Sequence, residues 1–511
     1  MKRSDNAILN TVWVIINQFI LVILGLYSRK VFLGVLGEEY LGFNSLFDDI
    51  FRLFSFADLG LGTAVAFSLY KPIAEGDYKK IKQLLSFFRV FYFFVVIVLL
   101  IIGLLFFPFL SVLKSSLDIR QIRIYYLVFL AGNLIEYMCL YRETYVSAIQ
   151  NQRLLSQIGI IFSVLKTICQ VLVVLYTKNY LYYILIGLII SLIRKIIINV
   201  IIVFKYPESR IDKTERLSRS DVKDLFHNSN SVLIHRVGNL IINQTDSVII
   251  STFLNVAIWG LVSNFVVLRG IIQGINDNVY SAVLPSVGNF VETEDKEKQI
   301  WLLYTYDFIN FWFNAFCFTV LANMSNDFVV LYFGEKYSFD RVFIFVFFLA
   351  FYIDGLRAPV SSMREASGVY VLDKWYTVLA AIINLITSIF FVRFWGCTGV
   401  FIGTIISMLV LHVVRVKVLF TKLYDDYNIR RYYFCIVKHI IIGCFVFFVT
   451  NLICFLIFNN SNLNIIIFFF KLILVCFIPN VILFLLYYKD MYFKDVVKMI
   501  MQKFNKSRVV S

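Results

Sequence analysis

Charge is what this chain has little of. Of its 511 residues only 16% are Asp, Glu, Lys or Arg, against about a quarter in soluble globular proteins. Hydrophobic residues make up 60%, so a water-soluble fold of this length would have too little polar surface to cover itself. Proline is scarce, at 6, and glycine stands at 23, which excludes collagenous and Pro/Gly-rich disordered classes. The eight cysteines form no CxxC pair and the four histidines no HExxH. No disulfide scaffold and no metal site is therefore expected. No Gly-rich phosphate-binding loop is present, which excludes an ATP-binding cassette. The segments between apolar stretches are too short for a catalytic domain, so neither an enzyme nor a cofactor is expected.

Long apolar runs are what the chain has instead. Spanning a bilayer as helix takes about 20 apolar residues, and about fourteen such runs can be read. They cover 8–27, 41–70, 84–110, 122–141, 154–176 and 181–204. After a polar stretch come 231–254, 258–287, 300–321, 342–360, 376–392, 400–420, 434–458 and 463–487. Asp354, Gly355 and Pro359 interrupt the tenth. A β-barrel would show alternation over short segments rather than unbroken runs, so the fold class is an all-α polytopic membrane protein. Lys2 and Arg3 precede the first run with no small-residue cleavage site after it, which reads as an uncleaved first helix.

Lys and Arg between the runs set the orientation. With both termini inside, about 33 of the 48 basic residues lie at cytoplasmic ends and about 9 lie outside. The net charge of +15 thus reads as topology and contact with anionic membrane lipid, with no nucleic-acid partner.

An internal repeat divides the chain. Shifted by roughly 218 residues, Gly42 falls on Gly260, Ser45 on Ser263, Phe47 on Phe265 and Asp77 on Asp295. Shifts of roughly 222 and 216 place Arg142-Glu143 on Arg364-Glu365 and Gly187 on Gly403. Each half has six helices that begin on the same side, so the repeats are parallel. The expected organisation is an N-lobe 1–204, a cytoplasmic linker 205–230, a C-lobe 231–420, two further helices in 421–488 and a basic cytoplasmic tail 489–511. Duplicated bundles are a transporter architecture, with the substrate between the repeats.

Charges in the bilayer cost about 2.5–3.5 kcal/mol at a helix centre on insertion scales, so those retained should face a wet cavity or each other. The second run carries Asn44, Asp48, Arg52 and Ser55 on one helical face, with Asp49 beside them and Asp58 further on. The eighth carries Arg269, Gln273, Asn276 and Tyr280 on one face. Asn10 and Asn17 share a face of the first run, and the seventh has His235, Asn239, Asn243 and Asp246, with Arg236 next to them. These four helices are the expected cavity wall. Arg236 and Arg269, with no evident partner in their own helices, suit an anion, whereas Arg52 can pair with Asp48 one turn away. Asp48, Asp49, Asp58 and Asp246 read equally as ion-coupling groups or as structural ion pairs. Lys166 and Glu136 read as inter-helix partners or cavity edge.

The stretch Asp58-Leu59-Gly60-Leu61-Gly62-Thr63-Ala64, the loop with Glu75-Gly76-Asp77, the segment Phe333-Gly334-Glu335-Lys336-Tyr337, and Gly399 with Gly403 resemble, in that order, a known family. It is the polysaccharide and O-antigen (Wzx-type) flippases of the multidrug/oligosaccharidyl-lipid/polysaccharide (MOP) exporter superfamily, and the likeness runs over essentially the whole chain. The resemblance implies a flippase that moves an undecaprenyl-diphosphate-linked oligosaccharide across a bacterial cytoplasmic membrane by alternating access, working beside a polysaccharide polymerase and a chain-length regulator. For such a substrate Arg52, Arg236 and Arg269 are expected at the diphosphate, and Asn17, Asn243 and Gln273, with the carboxylates, at sugar hydroxyls or a coupling ion. Alternatives within the superfamily are a Na⁺- or H⁺-coupled multidrug exporter and a lipid II-type flippase. Against the latter stands the absence of charge between Asn6 and Arg29, where lipid II flippases carry cations in the first helix.

Overall fold

The computed structural model describes residues 3–54, 61–138, 140–210, 217, 230–459 and 462–510. Among these every regular element is helical. The first run lies on α1 (Arg3–Leu36), and the second on α2 (Glu38–Phe54) and α3 (Leu61–Glu75). Then follow α4 (Tyr78–Leu105), α5 (Ile119–Tyr137), α6 (Leu140–Ala148), α7 (Gln152–Thr177) and α8 (Tyr180–Lys205). Next come α9 (Asn230–Phe253), α10 (Val256–Thr293), α11 (Lys296–Tyr332), α12 (Arg341–Gly355) and α13 (Ala358–Ala366). The last are α14 (Lys374–Leu423), α15 (Ile429–Phe458), α16 (Ile465–Tyr487) and α17 (Met491–Val510).

Among the described residues nine helical stretches are long and apolar enough to cross a membrane, or ten if α5 and α6, which meet at 42°, form one span. One of the nine, α14, is two antiparallel helices. Trp395 and Gly396 leave helical geometry, Gly396 at φ 54°. Past that turn the Asn384 amide donates to Thr404 Oγ1 at 3.1 Å and Ser388 Oγ to the Val400 carbonyl at 3.1 Å. The eleventh and twelfth runs are these two arms. A Cβ on Gly399 would strike the Phe391 carbonyl, so glycine is what lets the arms close.

The chain forms two compact units, Met1–Gly260 and Leu261–Ser511, each described by itself. In the first, α7 packs against α1 and α8, α5 against α8, α3 against α4 and α6, and α9 against α2. In the second, α11 is central, touching α12, α13, α15, α16 and α17. A helix surrounded by others needs partners for its polar residues, and on α11 Asn310, Asn314 and Asp327 have them. Asn310 Nδ2 donates to the Gly355 carbonyl at 2.9 Å, Asn276 Nδ2 donates to Asn314 Oδ1 at 3.0 Å, and Lys471 Nζ meets Asp327 Oδ2 at 2.6 Å.

Some positions that the sequence repeat aligns share their local chemistry. Asp77 and Asp295, aligned at a shift of roughly 218, are both N-caps, each accepting from the backbone N–H three residues on, Lys80 and Lys298, at 2.9 Å. Asp118 and Asp340 likewise cap α5 and α12. Both α5–α6 and α12–α13 are broken helices, so the interruption seen at Asp354, Gly355 and Pro359 has a counterpart in the first half. Gly42 and Gly260 face each other where α2 crosses the first turn of α10: a Cβ on Gly42 would strike the Val256 carbonyl, and one on Gly260 the Glu38 carbonyl. Each contact is the other shifted by the repeat.

Candidate functional site

Polar side chains within the first unit converge on a cavity of about 260 Å³, lined by residues of α2, α5, α7 and α8. Helical spacing puts them there. Asn44 and Asp48 are one turn apart on α2, Lys166 and Gln170 one turn apart on α7, and Tyr183, Gly187 and Ser191 succeed one another by fours on α8. Gly187 leaves room for the Gln170 amide, which donates to the Tyr183 carbonyl at 3.2 Å. On α5, Asn133 and Glu136 complete the wall.

Charge is distributed unevenly around this space. Glu136 is already neutralised, with Arg194 at 2.6 Å and Lys195 at 3.0 Å, and buried Lys195 also reaches Glu143 at 2.6 Å. Asp48 by contrast is exposed to the cavity and faces three cations, Arg52, Lys166 and Arg29. Asp49 lies on the neighbouring face, beside Arg52 and Ser247 of α9. The arrangement offers fixed positive charge, one accessible carboxylate and a ring of amides and hydroxyls. Such a lining can offer charge-assisted hydrogen bonds to anionic and hydroxyl-rich groups.

The other residues singled out by sequence fall as follows. Asn17 lies on α1, its side chain outside the described part, and Asp58 lies outside the described residues altogether. On α9, Asp246 is buried, Arg236 half-buried, and exposed Asn243 donates to the Asn239 carbonyl at 2.9 Å. In the second unit Arg269 and Gln273 are half-buried on α10, and Gln273 Nε2 donates to Asp277 at 3.3 Å. The wall expected from the first, second, seventh and eighth runs thus shares only its second run with the cavity inside the first unit, which the second, fourth, fifth and sixth line. Asn133, Gln170 and Tyr183 went unremarked in the sequence. For Gln170 and Tyr183 the signal was there as fours on α7 and α8, but diluted by single polar residues in long apolar runs.

No metal site was expected, and the described residues hold one constellation with suitable donors: Asp307, Cys435 and His439, all within 4.8 Å. It joins α11 to α15, so no sequence spacing reveals it. Its atoms serve each other. His439 Nδ1 is 3.0 Å from Asp307 Oδ2, Tyr432 donates to Asp307 Oδ1 at 3.1 Å, and the imidazole stacks on Phe311 at 4.0 Å. This is a hydrogen-bonded clamp that pins α15 to α11.

Comparison with known proteins accords with the fold. The family described as "Polysaccharide biosynthesis protein" matches residues 7–290. No curated protein matches the chain. Among solved structures, the lipid II flippase MurJ in an inward closed conformation superposes with a TM-score of 0.64 at 14% identity, over 94% of this chain and 99% of that one. An inward-facing multidrug resistance MATE family transporter of the MOP superfamily gives 0.56 at 14% identity, over 79% and 94%. A variant of the Vibrio cholerae MATE transporter VcmN gives 0.57 at 15% identity, over 84% and 99%.

Proposed function

Because the chain belongs to the polysaccharide biosynthesis protein family, with the fold of MOP-superfamily transporters, we propose that it flips an undecaprenyl-diphosphate-linked oligosaccharide, the repeat unit of an O-antigen, capsule or exopolysaccharide, across a bacterial cytoplasmic membrane by alternating access. In this reading both termini are cytoplasmic, the halves 1–204 and 231–420 are the moving lobes, and a polymerase and chain-length regulator take the product onward.

The observation that carries the reading is the convergence of Arg29, Arg52 and Lys166 on Asp48 beside a polar cavity in an apolar unit. A diphosphate bearing sugars cannot cross hydrocarbon unless fixed cations and hydrogen-bonding groups replace its water, while the polyprenyl tail stays in the lipid. Arg52, Arg236 and Arg269 are assigned to the diphosphate. Asn17, Asn243 and Gln273 are assigned to the sugar hydroxyls, and Asp48, Asp49, Asp58 and Asp246 to a coupling ion or to holding the arginines. A multidrug exporter for cationic drugs would need the opposite charge balance around its cavity.

The test is the leaflet in which lipid-linked glycan resides, read by labelling the glycan from outside cells with and without the protein. Depletion is expected to trap glycan inside. Wild type restores export, and Arg52→Ala or Arg269→Ala, expressed at the same level, restores under a tenth of it, since each lost charge-assisted contact is worth about tenfold or more. Unimpaired export in the depleted cells, together with new sensitivity to cationic drugs, assigns the chain to drug efflux instead.

A further inference from the structure

A second cavity lies within the second unit, lined by none of the residues assigned above. It measures about 230 Å³ and sits among the end of α11, the start of α12, the end of α15 and the first turns of α16. The positive-inside count puts this end of the helices on the outer side. Ligand pockets for drug-sized molecules run roughly 300–1,000 Å³, so this one takes a single small polar unit and not an oligosaccharide.

Its polar groups divide into those already engaged and those that remain. Asn326 closes on the Phe339 peptide from both sides, at 3.0 and 3.1 Å, and so holds the turn that Gly334 makes at φ 117°. Asn323 accepts from Asn451 at 2.9 Å and donates to the Thr319 carbonyl at 2.8 Å. Asp327 is bound by Lys471 at 2.6 Å. That pair consumes the one lining carboxylate and only one of the three Lys471 N–H groups. The Arg341 guanidinium, over the Phe455 ring at 5.7 Å, and the Asn459 amide also line the space. Two cations against one carboxylate leave an excess of positive charge, with donors and few free acceptors, which is the demand of an anion.

The surroundings say what carries that anion. Beside the cavity, α15 and α16 present Leu456, Ile465, Ile466 and Phe469, each more than half exposed, as a lipid-facing helix surface does. The cavity is polar within and apolar at its margin. We propose that it binds the phosphate of a membrane lipid, with Arg341 and Lys471 on the phosphate oxygens, Asn459 at its edge, and the hydrocarbon lying along α15 and α16. Two lipids share this chemistry, a glycerophospholipid and a polyprenyl phosphate.

Native mass spectrometry of the purified full chain, stripped of lipid and titrated with four probes, tests this. The probes are phosphatidylglycerol, a polyprenyl phosphate, diacylglycerol and inorganic phosphate. At least one of the two phosphate lipids is expected to bind at one saturable site at least tenfold tighter than diacylglycerol, and the tighter of the two identifies the source. Arg341 is exposed, so Arg341→Gln keeps the wild-type melting temperature and weakens binding by about tenfold. The double variant Asp327→Asn with Lys471→Gln, which leaves no lone buried charge, weakens it similarly. Lys489→Gln, an exposed cation elsewhere, changes nothing. Diacylglycerol binding as tightly as the phosphate lipids, or Arg341→Gln binding like wild type, overturns the proposal. Inorganic phosphate binding as well as either lipid overturns the lipid assignment and leaves a free-anion site.

Discussion

Glu39 shows how a single charge is held at the edge of an apolar unit. Partial burial works against its ionised form, but hydrogen bonds from Ser115 Oγ at 2.6 Å, the Ser116 N–H at 2.7 Å and the Ser116 hydroxyl outweigh that, so its carboxyl sits below the usual carboxylate range. A depressed pKa means stability that is complete above the unfolded carboxylate's value and lost as pH falls through the folded one. Melting temperature is therefore expected to drop on acidification below the usual Glu range. Glu39→Gln should flatten that part of the profile, read by a thermal-shift series, and the effect is small because the group is only partly buried. The two caps invite a paired test. Asp77→Ala and Asp295→Ala should each cost about 1 kcal/mol, seen as faster amide exchange in the first turns of α4 and α11, and a cap lost from one helix should leave the other unaffected.

At the scale of elements, glycine decides which helices touch. In a helix interior, Gly→Ala on its own stabilises by roughly 0.5–1 kcal/mol. At Gly260 the new methyl would meet the Glu38 carbonyl and the Gly42 N–H, and forced overpacking costs about 1–3 kcal/mol. The clash wins, so Gly260→Ala should lower the melting temperature. Gly288→Ala, on the same helix with nothing within 4 Å, should hold or raise it. Equal melting temperatures would mean that α2 and α10 do not cross as described. The break between α12 and α13 has its own partner. The Gly355 carbonyl, freed from the helix, takes the Asn310 amide, and Asn310→Leu should cost about 1–3 kcal/mol by stranding it.

For the whole molecule the testable quantity is sidedness. The Lys and Arg count predicts that a cysteine placed at Ser116 or at Ser338 reacts with a membrane-impermeant maleimide in intact cells. One placed at Ser218, in the linker, should react only after lysis. Reaction of all three from the same side would invalidate the orientation and with it the direction of transport proposed above.

The sequence alone determined the class of the molecule, the positions of its apolar runs and several local devices. These properties are carried by neighbours along the chain. Bilayer thickness sets run length, Asp before a first turn makes a cap, and Gly334 allows a turn that other residues resist. Helical period also told which residues share a face, so Asp48 and Arg52 were legible as a polar stripe. It could not tell what lies opposite that face, because the rotation and pairing of helices are fixed by packing between residues far apart in sequence. Only the tertiary structure therefore brought Lys166 and Arg29 to Asp48, turned Asn133, Gln170 and Ser191 into a cavity wall, joined Asp307 to His439, and set Gly42 against the first turn of α10.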